Sequence, residues 1–140
     1  MNTAILAPAA ALALWSMIML LWMAGTRLPA LARLNLDPKT SRGGRGGDLD
    51  GVLPAEIQWK SHNYNHLMEQ PTVFYVVCVI LAISGTSSYD LYLAWAYVGL
   101  RIIHSFWQAM VNTIPIRLTL FAIGSMILLI MAVRALFATL

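Results

Sequence analysis

The stretch Lys60-Ser-His-Asn-Tyr-Asn-His-Leu-Met-Glu-Gln-Pro71, directly before the apolar run 72–83, decides how the rest of the chain is interpreted. Its polar positions 62, 65, 66 and 69 fall on one helical face, spread over roughly 100°. A carboxylate, an amide and two imidazoles that enter a bilayer on one stripe are costly unless they face protein, water or a ligand. The stretch therefore predicts the polar lining of a site in a membrane protein.

Composition sets the class of the protein. The chain has 140 residues, of which 59% are hydrophobic and 11% charged, and its mean hydropathy is +0.70. A soluble domain is about a quarter charged, so we expect an integral membrane protein. At roughly 20–25 residues for each span, plus loops, the length predicts an all-α bundle of four transmembrane helices in a single domain, 1–140.

Charge and cysteine content exclude other classes. The net charge of +3 is small and is concentrated in one loop, which argues against nucleic-acid binding. The single cysteine, Cys78, lies in an apolar run and excludes both an internal disulfide and a cysteine-based metal site.

The helices are predicted at about 4–27, 55–84, 90–111 and 116–138. The first lacks a positively charged leader, so we expect a retained helix and not a signal peptide. It is predicted to end near Arg27, with Pro29 just beyond. Arg27 is then either an interfacial anchor or part of a site.

The connection 29–54 is basic and glycine-rich, but it lacks the pattern of a phosphate-binding loop. Six of the nine basic residues lie in or beside it: Arg27, Arg33, Lys39, Arg42, Arg45 and Lys60. The positive-inside rule therefore places this loop in the cytoplasm. With four spans, both termini would lie on the opposite, periplasmic side.

The second helix has to include the polar stretch, because the apolar part 72–83 is too short to cross a bilayer alone. Pro71 lacks a backbone N–H, so it is predicted to bend this helix and to free a carbonyl near Leu67.

A second polar stripe is predicted on the third helix. Its members follow helical spacing and are Arg101, His104, Ser105, Gln108 and Asn112. An arginine this deep in a span needs a partner. Glu69 is the best available carboxylate, so a structural ion pair between Glu69 and Arg101 is predicted.

The polar residues of the four helices are expected to meet at one membrane level. Together they suit a small zwitterionic or anionic ligand. The cations are Arg27 and Arg117, the acceptor is Glu69, and the donors are Asn65, His104 and Gln108. No Ser-His-Asp, H-E-x-x-H or paired-carboxylate pattern is present. The three histidines have only Glu69 as an accompanying carboxylate, so no metal site is predicted.

The same residues resemble a family, the membrane-associated proteins in eicosanoid and glutathione metabolism (MAPEG). On helix 2 the resemblance rests on Asn65, Glu69, Pro71 and Phe74. Farther on, it rests on the run Leu-Arg-Ile-Ile-His-Ser-Phe-Trp-Gln at 100–108 and on Pro-Ile-Arg at 115–117. Span number and loop lengths agree over the whole chain.

The resemblance implies a homotrimer with three sites between neighbouring subunits, open toward the cytoplasm. It implies glutathione as cosubstrate, membrane lipids as neighbours, and a transferase or peroxidase activity on lipophilic substrates that approach laterally from the bilayer. Arg117 would be catalytic and stabilise the thiolate. The residues implied in binding are Arg27, His62, Asn65, Glu69, His104 and Gln108.

The chain departs from the eicosanoid enzymes at several positions. They carry arginines where this chain has His62 and Asn65, and tyrosines where it has Gln108 and Phe121. It is similar to bacterial-type, divergent members, which implies a bacterial inner membrane. The alternative is a non-catalytic trimeric membrane protein, lipid-binding or an accessory subunit of a larger membrane complex, whose polar stripes only tie helices together.

Overall fold

The computed structural model describes residues 2–140, and its regular structure is helical apart from one isolated bridge between Asp50 and Leu53. In chain order the helices are α1 (Leu6–Ala32), α2 (Ala55–Glu69), α3 (Pro71–Ser84), α4 (Ser88–Met110) and α5 (Ile114–Thr139). Short 3-10 turns lie at Thr3–Ile5 and Gly46–Leu49. The predicted all-α class is confirmed.

Helices α2 and α3 together form one rod, Ala55–Ser84, that is interrupted only at Gln70. Pro71 occupies the first turn of α3, where its missing N–H costs least. The hydroxyl of Thr72 donates to the carbonyl of Glu69 at 2.7 Å, and the N–H of Val73 donates to the carbonyl of Gln70 at 3.0 Å. The sequence predicts one helix over 55–84, and the structure divides it at Gln70, directly before Pro71.

Three helical rods are long and apolar enough to cross a membrane: Thr3–Ala32, Ala55–Ser84 and Ile114–Thr139. The 23 residues of α4 are also long enough. However, α4 carries a row of buried polar side chains, which lowers its hydropathy. Three of the four predicted membrane spans are thus supported by length and composition.

The first helix is longer than predicted. It continues through Pro29 to Ala32 instead of ending near Arg27. Proline inside a helix removes one hydrogen bond, here the one to the carbonyl of Gly25, without necessarily ending the helix. The added turn carries the chain beyond Arg27, so that residue lies within the helix and not at its end.

Helix α4 packs against α1, α2 and α5, and α3 packs against α5. Phe74 stacks on Tyr97 with ring centroids 4.5 Å apart. The hydroxyl of Tyr97 donates to Gln70 at 3.1 Å, and the amide of Gln70 donates to Ser125 at 2.7 Å. Because lipid is as apolar as the core, close packing and such interhelical hydrogen bonds hold the helices together.

An ion pair joins α4 and α5 at the end of the bundle that holds the α3–α4 turn. Arg134 donates to both carboxylate oxygens of Asp90, whose side chain is only 3% exposed. Asp90 also forms a capping box with Ser87, which begins α4. A buried carboxylate therefore depends on one arginine for its charge compensation.

We expect Arg134→Ala to lower the free energy of unfolding by about 2–3 kcal/mol. Removing one partner of a buried pair costs about 3–5 kcal/mol, and the 39% exposure of Arg134 reduces that cost. Thermal unfolding in detergent measures the effect. Arg42→Ala, in the exposed loop, is the control and should change stability by no more than about 0.5 kcal/mol. Equal effects of the two substitutions would contradict this role for the pair.

Candidate functional site

A cleft of about 260 Å³ lies between α2, α4 and α5, at the end of the bundle where α4 turns into α5. Its walls combine polar and apolar side chains. They are His66, His104, Gln108, Ile114, Arg117, Leu118 and Phe121. A mixed lining of this kind is typical of a ligand site.

Helix α4 supplies two buried polar groups to the cleft. His104 is 2% exposed and Gln108 is 5% exposed, and their spacing of four residues places them on one face. Nε2 of His104 and Oε1 of Gln108 have no hydrogen-bond partner among residues 2–140. Buried polar atoms without partners are costly, so these two residues carry unsatisfied polar groups in the wall of the cleft.

Helix α5 supplies the cation. Arg117 lies in the first turn of α5, and its Nη1 donates to Oδ1 of Asn112 at 2.5 Å. Asn112 has a left-handed backbone, with φ of 56°, which asparagine tolerates better than most residues. The turn between α4 and α5 thus orients the guanidinium, which has further N–H groups to offer a ligand.

Arg101 contacts His66 instead of Glu69. Its Nη2 donates to Nδ1 of His66 at 2.6 Å and to the backbone carbonyl of the same residue at 3.2 Å. No ion pair between Glu69 and Arg101 forms within the described part of one chain. The predicted pair does not form within one chain, because residues 66 and 69 lie about 60° apart around the helix and His66 is the one that faces α4.

His66 itself lines the cleft. Its ring stacks on that of His104 at a centroid distance of 4.8 Å, and it meets the ring of Phe121 edge-on at 5.4 Å. The sequence placed His66 on the polar face but did not assign it a binding role. The signal that could have identified His66 is its spacing, four residues after His62 and four before Gln70, which places the three side chains on one helical face.

Two predicted binding residues of α2 lie outside the cleft of a single chain. Asn65 and Glu69 are exposed on the outer face of the helix, and neither lines the cleft. In a single chain these two side chains therefore have no part in the lining of the cleft.

The other two predicted residues, Arg27 and His62, anchor the long loop. Arg27 donates to Ser61 at 2.9 Å and to the carbonyl of Gly46 at 3.0 Å. His62 donates to Asp50 at 2.9 Å, and Gln58 donates to the same carboxylate oxygen at 2.7 Å. These hydrogen bonds, first that of Gln58 and then that of His62, hold the pKa of Asp50 below its usual value.

The structure thus brings together His104, Gln108 and Arg117 of the predicted set and adds His66. Arg27 and His62 lie in the loop anchor, and they do not line the cleft. Among residues 2–140, no group of three or more His, Cys, Asp or Glu side chains could hold a metal ion.

Comparison with known proteins supplies one match. The family model described as MAPEG family matches residues 5–137, nearly the whole chain. Comparisons with curated proteins and with solved structures gave no match.

Proposed function

Since the chain belongs to the MAPEG family, we propose that it is a glutathione-dependent transferase or peroxidase acting on lipophilic substrates in its membrane. The observation that carries this proposal is the cleft, where a guanidinium and two buried, unpartnered polar atoms lie beside an apolar wall. Glutathione carries carboxylates, amides and a thiol, so it needs cations, donors and acceptors. The cleft of one chain offers one cation, Arg117, together with the polar side chains of His66, His104 and Gln108.

Arg117 would act on the thiol. Glutathione supplies a nucleophile only as its thiolate, and a free thiol with a pKa of about 8.5 is mostly protonated at neutral pH. A guanidinium beside the sulfur favours the thiolate. Arg117 is the one arginine that lines the cleft among the described residues, so we assign it this role.

The apolar wall would receive the second substrate. Ile114 and Leu118 of α5 are exposed at the cleft, and Phe121 is half-buried beside His66. A lipophilic electrophile or hydroperoxide dissolved in the bilayer could reach such a wall laterally, without crossing water. Both reactants would then meet at the boundary of α5.

A neighbouring subunit would complete the site. The cleft of one chain, about 260 Å³, lies below the range of roughly 300–1,000 Å³ that is usual for ligand sites. Asn65 and Glu69 stand exposed on the adjacent face of α2. We therefore propose a homotrimer in which this face is covered by another copy of the chain.

We also propose that α4 crosses the membrane as the fourth span. It packs between rods that are apolar enough to span, and its polar row is buried inward. With four crossings, the basic loop and the cleft face the cytoplasm, and both termini face the periplasm of a bacterial inner membrane.

A non-catalytic trimeric protein, binding lipid or serving in a larger membrane complex, is the second candidate. One observation favours it: Arg27 and His62 are occupied by structural contacts in the loop anchor. A site that loses two of its predicted ligands has fewer groups with which to hold glutathione.

Glutathione binding and turnover separate the two candidates. The detergent-solubilised protein is heated with and without millimolar glutathione, and conjugation of 1-chloro-2,4-dinitrobenzene is followed by absorbance. At a hundredfold excess over Kd, binding stabilises a protein by about 2.7 kcal/mol. Stabilisation together with turnover supports the enzyme. The absence of both supports the non-catalytic protein.

A further inference from the structure

The hydrogen bonds of His66 determine which ring nitrogen carries its proton. Arginine has N–H donors and no acceptor. Because Nη2 of Arg101 lies 2.6 Å from Nδ1 of His66, that nitrogen has to accept the hydrogen bond. The proton of the neutral ring therefore lies on Nε2.

The surroundings hold the ring in this state. Arg101 is only 2% exposed, and its second hydrogen bond, to the carbonyl of His66, fixes it against the same residue. His104 stacks on the ring at 4.8 Å, and Phe121 meets it edge-on. A second proton on Nδ1 would point at a guanidinium donor, so the geometry opposes an imidazolium.

Nε2 of His66 is left free for a ligand. It has no hydrogen-bond partner within residues 2–140, and unlike Nε2 of His104 it is not fully buried. His66 lines the cleft from α2, and Arg117 lines it from α5. A neutral N–H donor and a cation thus border the same space from two helices.

We propose that His66 is a further glutathione-binding residue, whose Nε2–H donates to an anionic group of glutathione, and that Arg101 is the positioning residue that fixes this tautomer. The inference rests on the proposed function and specifies which residue of α2 binds the ligand. It differs from the sequence-based expectation, which assigned that role to His62, Asn65 and Glu69.

Two isosteric substitutions separate binding from structure. His66→Asn places an amide oxygen near Nδ1, so the acceptor for Arg101 is retained and the donor at Nε2 is lost. His66→Gln places an amide nitrogen near Nε2, so the donor is retained and the acceptor for Arg101 is lost. For His66→Asn we expect the affinity for glutathione to fall by about tenfold or more, because a hydrogen bond to a charged group is lost. Its Tm should change little. We expect binding within about threefold of wild type for His66→Gln, with Tm lower by several degrees.

Calorimetric titration of the full chain in detergent with glutathione measures the affinities, and thermal unfolding without ligand measures Tm. If wild type binds glutathione and His66→Asn binds equally well, this inference is overturned while the proposed function stands. If wild type does not bind glutathione, the proposed function fails, and the ligand named here fails with it.

The tautomer is tested without any ligand. In 15N spectra of histidine-labelled protein, His66→Gln identifies the His66 signals by their loss. A protonated Nε2 and an unprotonated Nδ1 support the arrangement, and Arg101→Met should then disturb both signals. A proton on Nδ1 would overturn the inference whatever the binding result.

Discussion

Arg117→Ala is expected to lower kcat/KM for the glutathione reaction by about 100-fold or more. Removing one preorganised donor to a developing or resident anion typically costs about 10²–10³ in rate. We expect so large a loss because Arg117 is the arginine that lines the cleft, where Asn112 holds it at the start of α5. Its loss would return the thiol to its ordinary, mostly protonated state at neutral pH.

The pH profile distinguishes this role from a structural one. If Arg117 favours the thiolate, the rate of Arg117→Ala should recover partly as pH rises toward the ordinary thiol pKa of about 8.5, whereas the wild-type rate should already have levelled off. Arg117→Lys keeps the charge but not the fork, and an intermediate rate is expected. Arg42→Ala, in the exposed loop, is the control. A wild-type rate and profile for Arg117→Ala would remove Arg117 from the mechanism.

Local patterns were sufficient for the parts of the site that lie on one helix. His104 and Gln108 share a face because they are four residues apart, and both are buried at the cleft. Arg117 follows a short turn, so its place at the beginning of α5 was also predictable.

The pairing across helices was not predictable from the same patterns. A polar stripe about 100° wide leaves open which member faces the neighbouring helix, and a difference of 60° decides between His66 and Glu69 as the partner of Arg101. Periodicity carries no information on that rotation. It depends on how α2 packs against α4 as a whole.

The partners of Arg27 were not predictable for a different reason. Its partners include the carbonyl of Gly46, nineteen residues away in a loop without periodic sequence. A Cβ on Gly46 would approach the guanidinium to 3.0 Å, so the close contact also depends on glycine at this position. The conformation of such a loop depends on tertiary contacts, which no local sequence pattern predicts.

Glu69→Ala is expected to break up the proposed trimer, by weakening each contact between its subunits by about 2–4 kcal/mol. Removing one partner of a buried, hydrogen-bonded charge pair at an interface costs about 2–5 kcal/mol, much of it the penalty of the group left unpaired. Native mass spectrometry or light scattering in detergent measures the shift to smaller species. Glu56→Ala is the matched control, since Glu56 is also exposed on α2 but lies in its first turn.

Whether Glu69→Ala stabilises or destabilises the protein shows whether the outer face of α2 is exposed to lipid or covered by another subunit. At 1.5 Å per residue, Glu69 lies about 22 Å along the rod from Ser84, within a hydrocarbon layer of about 30 Å if Ser84 marks the opposite edge. A charged side chain that faces lipid costs about 2.5–3.5 kcal/mol at the centre of that layer, and Glu69, about 7 Å from the centre, would bear part of this cost. Alanine would then stabilise the chain and leave its oligomeric state unchanged. If another subunit meets Glu69 with a polar or cationic group, alanine destabilises the assembly instead. The substitution therefore distinguishes a face of α2 that a second copy covers from one that faces lipid.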